Sequence, residues 1–243
     1  ILKNTSEKTT TYVYGKTNEK NYLDRNYINL DFKKLILRSH SKIYIKKFLE
    51  YEKNISSDIV EVHNRPIMID TLVEKINAKY ILYLHNDPRS MKGAKTPKER
   101  LELLSKVDKI VFITEWVKKK FFEKLDVDPN NFKSEIIYHS IEIEKKVPKK
   151  YKRIVFVGKL NESKGYDIFC DAVKKLLDKH RDWKAYSIGD EKRLKPYQTH
   201  NKHIKLGYMS HKKVLSFLNT SEIAVIPSRW EEPFGRTALE ASS

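Results

Sequence analysis

Near the carboxyl end, in the run PSRWEEPFGRTALEASS from Pro227 to Ser243, two glutamates stand with seven residues between them, Glu232 and Glu240. The apolar run from Ile223 to Ile226 reads as a buried strand, and RTALEASS after Phe234 and Gly235 reads as the first turns of a helix. A helix start presents unpaired N–H groups and partial positive charge, which suit a phosphate. Glu232 falls just before that start, and Glu240 lies about five residues inside it, roughly 7.5 Å further along the axis. Carboxylates repel phosphate but accept hydrogen bonds from sugar hydroxyls. A ligand with a central diphosphate flanked by two sugars would use both features, and a nucleotide sugar has that form. A strand–loop–helix with two merely solvated glutamates also fits the spacing.

A second cluster is Gly158-Lys159-Leu-Asn-Glu-Ser-Lys164-Gly165, between the apolar VFV and a helical pattern. Gly158 lets the backbone turn, and two lysines five apart can address one anion. The order of residues is not that of a P-loop. In a chain with 39 lysines such a pair also arises by chance. His85 closes another apolar run, in HNDP, and His63 in HNRP closes the one before it. Gly189-Asp190 and Gly207-Tyr208-Met209 each follow an apolar run as well. Asp126-Val127-Asp128 spells the DxD of metal-dependent sugar transferases, but it precedes Pro129 in a turn that favours Asp on its own account. The histidines show no zinc spacing, and no metal site is expected.

The elements that must position these residues alternate regularly from Ile59 onward. Strands are expected at 59–63, 80–85, 109–114 and 135–139, with helices from Pro66, from the Thr96-Pro97-Lys98-Glu99 capping box and after Thr114. The scheme repeats with strands at 153–158, 183–189, at IKLG and at 222–228. Helices fall at 165–180 and 210–220, and a short one at 191–200 is broken at Pro196. Residues 1–58 are hard to read, apart from a strand near Tyr12 to Gly15. Alternating strands and helices imply parallel sheets, twice over, with ligands gathering beyond the strands' carboxyl ends. His85, His139, Gly158, Gly189, Gly207 and Pro227 all fall there. Ile141 to Lys152, with Pro148 and several lysines, reads as a linker.

Charged residues make up 33% of the 243 and hydrophobic ones 40%, which is a globular composition. No apolar run approaches the ~18 residues of a membrane span. Cys170, the single cysteine, reads as a small core residue and allows no disulfide framework, in keeping with a reducing cytoplasm. The net charge of +17 is carried by both halves and mostly by lysine. Such a surface fits plain solvation or attraction to an anionic membrane or substrate; nucleic-acid binders more often show arginine-rich stripes with interleaved aromatics.

PFGRTALEA preceded by Glu232, together with G-K-x4-K-G, resembles the E-x7-E and G-R-x4-K-G elements of retaining glycosyltransferases of the GT-B fold, glycosyltransferase family 4. The resemblance covers roughly residues 59–243. It implies an α/β fold of two Rossmann-like domains with parallel sheets, truncated at both ends. The acceptor-side domain would be 1–147 and the nucleotide-sugar domain 148–243. It implies metal-independent transfer of a sugar, with retained configuration, from a nucleoside-diphosphate donor to a saccharide or lipid-linked acceptor hydroxyl. No cofactor and no nucleic acid is implied. The implied setting is cell-envelope polysaccharide or lipopolysaccharide synthesis, in the cytoplasm or peripheral on the inner face of the membrane.

By the same resemblance Gly158, Lys159, Lys164, Phe234, Gly235 and Arg236 would hold the donor diphosphate, and Tyr208 and Met209 would border the base. Glu240 would bind ribose, Glu232 would orient the donor sugar, and His85 would lie near that sugar. Two departures stand out: Lys159 where the family has arginine, which loses the bidentate fork, and His139-Ser140-Ile141-Glu142 where it has Asn-Gly-Ile-Asp. A non-catalytic basic binding module that retains the fold, and another GT-B enzyme such as a sugar phosphorylase, are the alternatives. All of this requires Lys159 and Lys164 to share a cleft with the backbone at Gly235.

Overall fold

The structure, a computed structural model, describes residues 8–16, 26–30, 40–141, 148–191, 197 and 199–243. Residues 142–147 of the linker expected at 141–152, and 192–196 and 198 of the helix expected at 191–200, lie outside these residues. Two compact units divide the chain, Ile1–Ile137 and Tyr138–Ser243, against the expected division at 147/148.

In the first unit, β1 (Val13–Gly15) and β2 (Tyr27–Asn29) form a small parallel pair, followed by α1 (His40–Glu52). Then come β3 (Ile59–His63), α2 (Ile69–Lys75), β4 (Lys79–Leu84), α3 (Pro97–Lys106), β5 (Lys109–Phe112), α4 (Glu115–Phe122) and β6 (Ser134–Ile136). The four strands β3 to β6 lie side by side in sequence order, all parallel. Local chemistry starts the helices. Thr96 accepts from the Glu99 N–H while the Glu99 carboxylate accepts from the Thr96 N–H, with Pro97 in the first turn. Thr114 caps α4 by accepting from Val117 N–H. Helix α2 stops at Lys75, because Ile76 is already extended; the Tyr80 hydroxyl lies 2.8 and 2.7 Å from the carbonyls of Leu72 and Ile76 and satisfies the helix end.

The second unit holds β7 (Tyr151–Val157), α5 (Tyr166–Lys179), β8 (Lys184–Ile188), β9 (His203–Gly207), α6 (His211–Asn219), β10 (Ser221–Ala224) and α7 (Arg236–Ser242). Its four parallel strands run in the order β10-β7-β8-β9. Alternate residues of β7 serve two cores. Ile154 and Phe156 pack with Tyr166, Phe169, Cys170, Val173 and Leu177 of α5, while Val155 packs with Val214 and Leu218 of α6, and Ala241 of α7 lies against that second cluster. The spacing of the α5 residues is that of one helical face. Helix α5 therefore covers one side of the sheet and α6 and α7 the other. The chain leaves β7 and its neighbour β10 toward opposite faces, which makes their carboxyl ends a topological switch point.

Among the described residues no helix is long and apolar enough to cross a membrane. Cys170 is buried, as expected.

One buried polar chain crosses the second core. His203 Nε2 lies 2.7 Å from Ser187 Oγ, which lies 3.2 Å from the Tyr166 hydroxyl. Burial pulls the His203 imidazole down to about 4, since a cation there loses its hydration. A histidine depressed in the native state contributes nothing where both states are neutral and destabilises the fold once the unfolded chain takes up its proton. Stability should therefore fall by up to ~3 kcal/mol as pH drops from about 6.5 to about 4. Urea denaturation across that window should show this slope, and His203→Asn should flatten it.

Candidate active site at the switch point

The loop after β7 and the loop after β10 are joined before any side chain is considered. Gly165, at φ +70°, ends a short turn capped by Asn161 and opens α5. A Cβ on it would fall 1.9 Å from the Pro227 carbonyl oxygen. The Ser163 carbonyl accepts from the N–H groups of Arg229 and Trp230 at 3.0 and 3.1 Å. Arg229 then grips the first loop with its fork: bidentate to Asp167, 2.7 Å to each oxygen, and 2.8 Å to the Glu162 carbonyl. The guanidinium holds the Asp167 carboxyl below the usual carboxylate range.

Between these loops lies a pocket of about 250 Å³, lined by Phe156, Val157, Gly158, Lys164, Ile226, Ser228, Glu232, Gly235, Arg236, Thr237 and Ala238. Lys164 Nζ and the Ser228 hydroxyl both donate to Oε1 of Glu232. The ammonium of the first motif and the carboxylate of the second thus meet, with each side chain about 30% exposed. A larger hollow, about 470 Å³, opens in the first unit where β3 to β6 begin, lined by Ile59, Lys79, Lys109 and Ser134 among others. That is the amino end of a parallel sheet, opposite the end where such sheets bind ligands, so the smaller pocket is the candidate.

The remaining residues singled out from the sequence are distributed as follows. Gly158 and Gly189 are in van der Waals contact, since a Cβ on Gly189 would strike the Gly158 carbonyl, and Gly189 N–H donates to the Gly207 carbonyl at 2.8 Å. Lys159 is exposed and does not line the pocket; here the required convergence holds for Lys164 alone. Arg236 lines the pocket but its guanidinium is paired with Glu240 at 2.9 Å. Glu240 is 5% exposed, outside the lining, and also bonded to His211 Nε2 at 2.9 Å. Phe234 lies against His139 with the rings tilted, centroids 4.9 Å apart; burial, then Arg236, lowers the His139 pKa. Tyr208 is exposed, and Met209 packs against the α6 side of the core. Asp128 of the DxD caps the turn at Pro129 by accepting from Asn130 N–H.

In the first unit, taken by itself, His85 sits just past β4 with its N–H on Asn64 Oδ1 at 2.7 Å. Its ring stacks with His63 and Tyr83, and its Nε2 lies 3.0 Å from His63 Nδ1. Sequence reading passed over Asp167, Arg229 and His211. Each works through a partner on another element, and one sequence carries no signal of that pairing.

The chain has the α/β fold with parallel sheets of the GT-B class, and solved glycosyltransferase structures of that class superpose on it. A crystal structure of TarM superposes with TM-score 0.59 at 16% identity, over 82% of this chain and 42% of that one. Anabaena Alr3699/HepE in complex with UDP-glucose gives 0.59 at 14% identity, over 82% and 60%. The pneumococcal O-GlcNAc transferase GtfA, in complex with UDP and GlcNAc, gives 0.60 at 15%, over 80% and 42%. Residues 140–243, the second unit almost entire, match the family described as glycosyl transferases group 1. YtcC of Bacillus subtilis (strain 168), provisionally named a glycosyltransferase, is 27% identical over 221 residues, 76% of this chain and 53% of that protein. The 2-deoxystreptamine N-acetyl-D-glucosaminyltransferase of Niallia circulans is 31% identical over 37% of this chain and 25% of its own length. The chain thus spans about half the length of the first relative and a quarter of the second.

Gly165→Ala tests the joint between the loops. The left-handed backbone costs ~1–2 kcal/mol with any Cβ, and the Pro227 carbonyl must also move. A loss above ~2 kcal/mol is expected in urea denaturation, with the Lys164–Glu232 contact opened.

Proposed function

We propose that the protein is a retaining glycosyltransferase that moves a sugar from a nucleoside-diphosphate donor to an acceptor hydroxyl without a required metal. The observation that carries this is the convergence of Lys164, Glu232 and the Gly235–Arg236 backbone on one pocket at the switch point, within the segment that matches the group 1 family. Lys164, the N–H groups around Phe234 to Arg236 and the exposed ammonium of Lys159 would take the diphosphate. Charge grows there as the leaving group departs, and donors already in place need no rearrangement. Glu232 would orient the donor sugar through its hydroxyls, Glu240 would hold the ribose, and Tyr208 and Met209 would border the base. His85, on the first unit, would help position the donor sugar and share its proton traffic. That HepE and GtfA are seen with UDP-glucose or UDP supports this class of donor. The lysine-rich surface suits a saccharide or lipid-linked acceptor presented at an anionic membrane, as in envelope polysaccharide or lipopolysaccharide synthesis.

Nucleotides that bind only the native state raise its melting temperature, by ~2.7 kcal/mol of stabilisation at a hundredfold excess over Kd. UDP or GDP should produce that shift, and donor hydrolysis or transfer should accompany it in the full-length protein. No shift with either nucleotide overturns the proposal; a shift without transfer under any donor leaves a binding module.

Lys164→Ala should weaken UDP or GDP ~10- to 100-fold, the range of a charged hydrogen bond. Glu232→Gln should instead leave nucleotide affinity equal or higher, because it frees Lys164 from its carboxylate, while transfer falls. Titration calorimetry of the two variants against the wild type checks the opposite signs.

A further inference from the structure

The carboxylate of Glu240 is buried between α6 and α7, and its two donors share one oxygen. His211 Nε2 and Arg236 NH2 each lie 2.9 Å from Oε1. Arg236 NH2 also lies 3.4 Å from His211 Nε2. Nε2 cannot be the acceptor in that corner, because two lone pairs would then face each other at 2.9 Å, so it carries the proton and donates to Glu240. Among the described residues Oε2 has no partner, nor is it among the polar atoms sealed away from solvent. A carboxylate offers about four acceptor sites. Two are taken, on the same oxygen, and they fix the plane and tilt of the group. Helix α6 supplies His211 from its first position, just after the Gly207–Ser210 loop. The side chain is more than half exposed, so burial of a hydrophobic ring does not account for its placement.

We propose that His211 is a positioning residue for nucleoside recognition: with Arg236 it pins Oε1 of Glu240, so that Oε2 is presented as the acceptor for the vicinal hydroxyls of the donor's ribose. This rests on the donor-binding reading of the pocket. Arg236 is thereby committed to the carboxylate rather than to phosphate. Glutamine can place an amide N–H near the position of Nε2, so His211→Gln retains the geometry in part, whereas His211→Ala lets the carboxylate rotate toward Arg236.

The test compares UDP with 2′,3′-dideoxy-UDP, and GDP with its dideoxy form, on wild type, His211→Ala and His211→Gln, by calorimetry. Wild type should lose about 10- to 30-fold on removal of the ribose hydroxyls, the magnitude of charge-assisted hydrogen bonds. In His211→Ala that penalty should shrink to about threefold or less, with dideoxynucleotide affinity unchanged within about twofold; His211→Gln should recover part of the discrimination. Equal weakening of both ligands by His211→Ala, or unchanged discrimination, overturns the proposal and leaves the donor-binding reading standing. Failure of wild type to bind either nucleotide removes that reading, and the role of His211 with it.

Discussion

The second unit is organised by a backbone contact that admits no side chain. Strands β7 and β10 are neighbours, yet the helices that follow them cover opposite faces of the sheet, so their loops leave together and must part. At the parting the Pro227 carbonyl occupies the place of a Cβ on Gly165, and the Ser163 carbonyl takes two N–H groups from the other loop. Segments more than sixty residues apart in the chain become one wall. The second loop supplies the donors and the first loop the carbonyls that accept them. Arg229 adds a planar fork that lysine could not reproduce, spanning Asp167 and the Glu162 carbonyl.

From that joint follows the electrostatics of the pocket. Lys164 and Glu232 are carried to one point by two loops and neutralise each other. The pair is too exposed to contribute much stability, so a stronger anion can displace the carboxylate at small cost. A diphosphate would do so and free Glu232 to accept from hydroxyls.

Much of this was legible because the signals are local. The capping box at Thr96, the Thr114 cap and the alternation of apolar runs with helical faces depend on residues within a few positions, and they appear where expected. The E-x7-E and G-K-x4-K-G patterns place their residues at strand ends for the same reason. What could not be read is what topology makes. Asp167 meets Arg229, and His211 meets Glu240, only because α5, α6 and α7 fall on particular sides of one sheet. The contacts of Tyr138 to Ile141 follow the second unit, with His139 drawn onto Phe234, so the division precedes Pro148. Strand β2 is three residues long, too short for a period to register.

On the proposed reading the two lysines of the first motif would divide a task that an arginine and a lysine share in the family it resembles. Lys164 is engaged by Glu232 and Lys159 is exposed, on the far side of a turn that only Gly158 permits. An ammonium on a flexible stem pays more conformational entropy to hold a phosphate than a guanidinium fork does per bond formed. On that reading the committed cation would set the site of the anion, while the exposed one would add charge without geometry. On that division precision has to come from groups with no freedom left: the N–H groups at the start of α7, and the Glu240 carboxylate with both donors on one oxygen. On the proposed reading the Glu240 carboxylate would fix the nucleoside and the α7 N–H groups the phosphates, with the two ammonium groups adding charge to both.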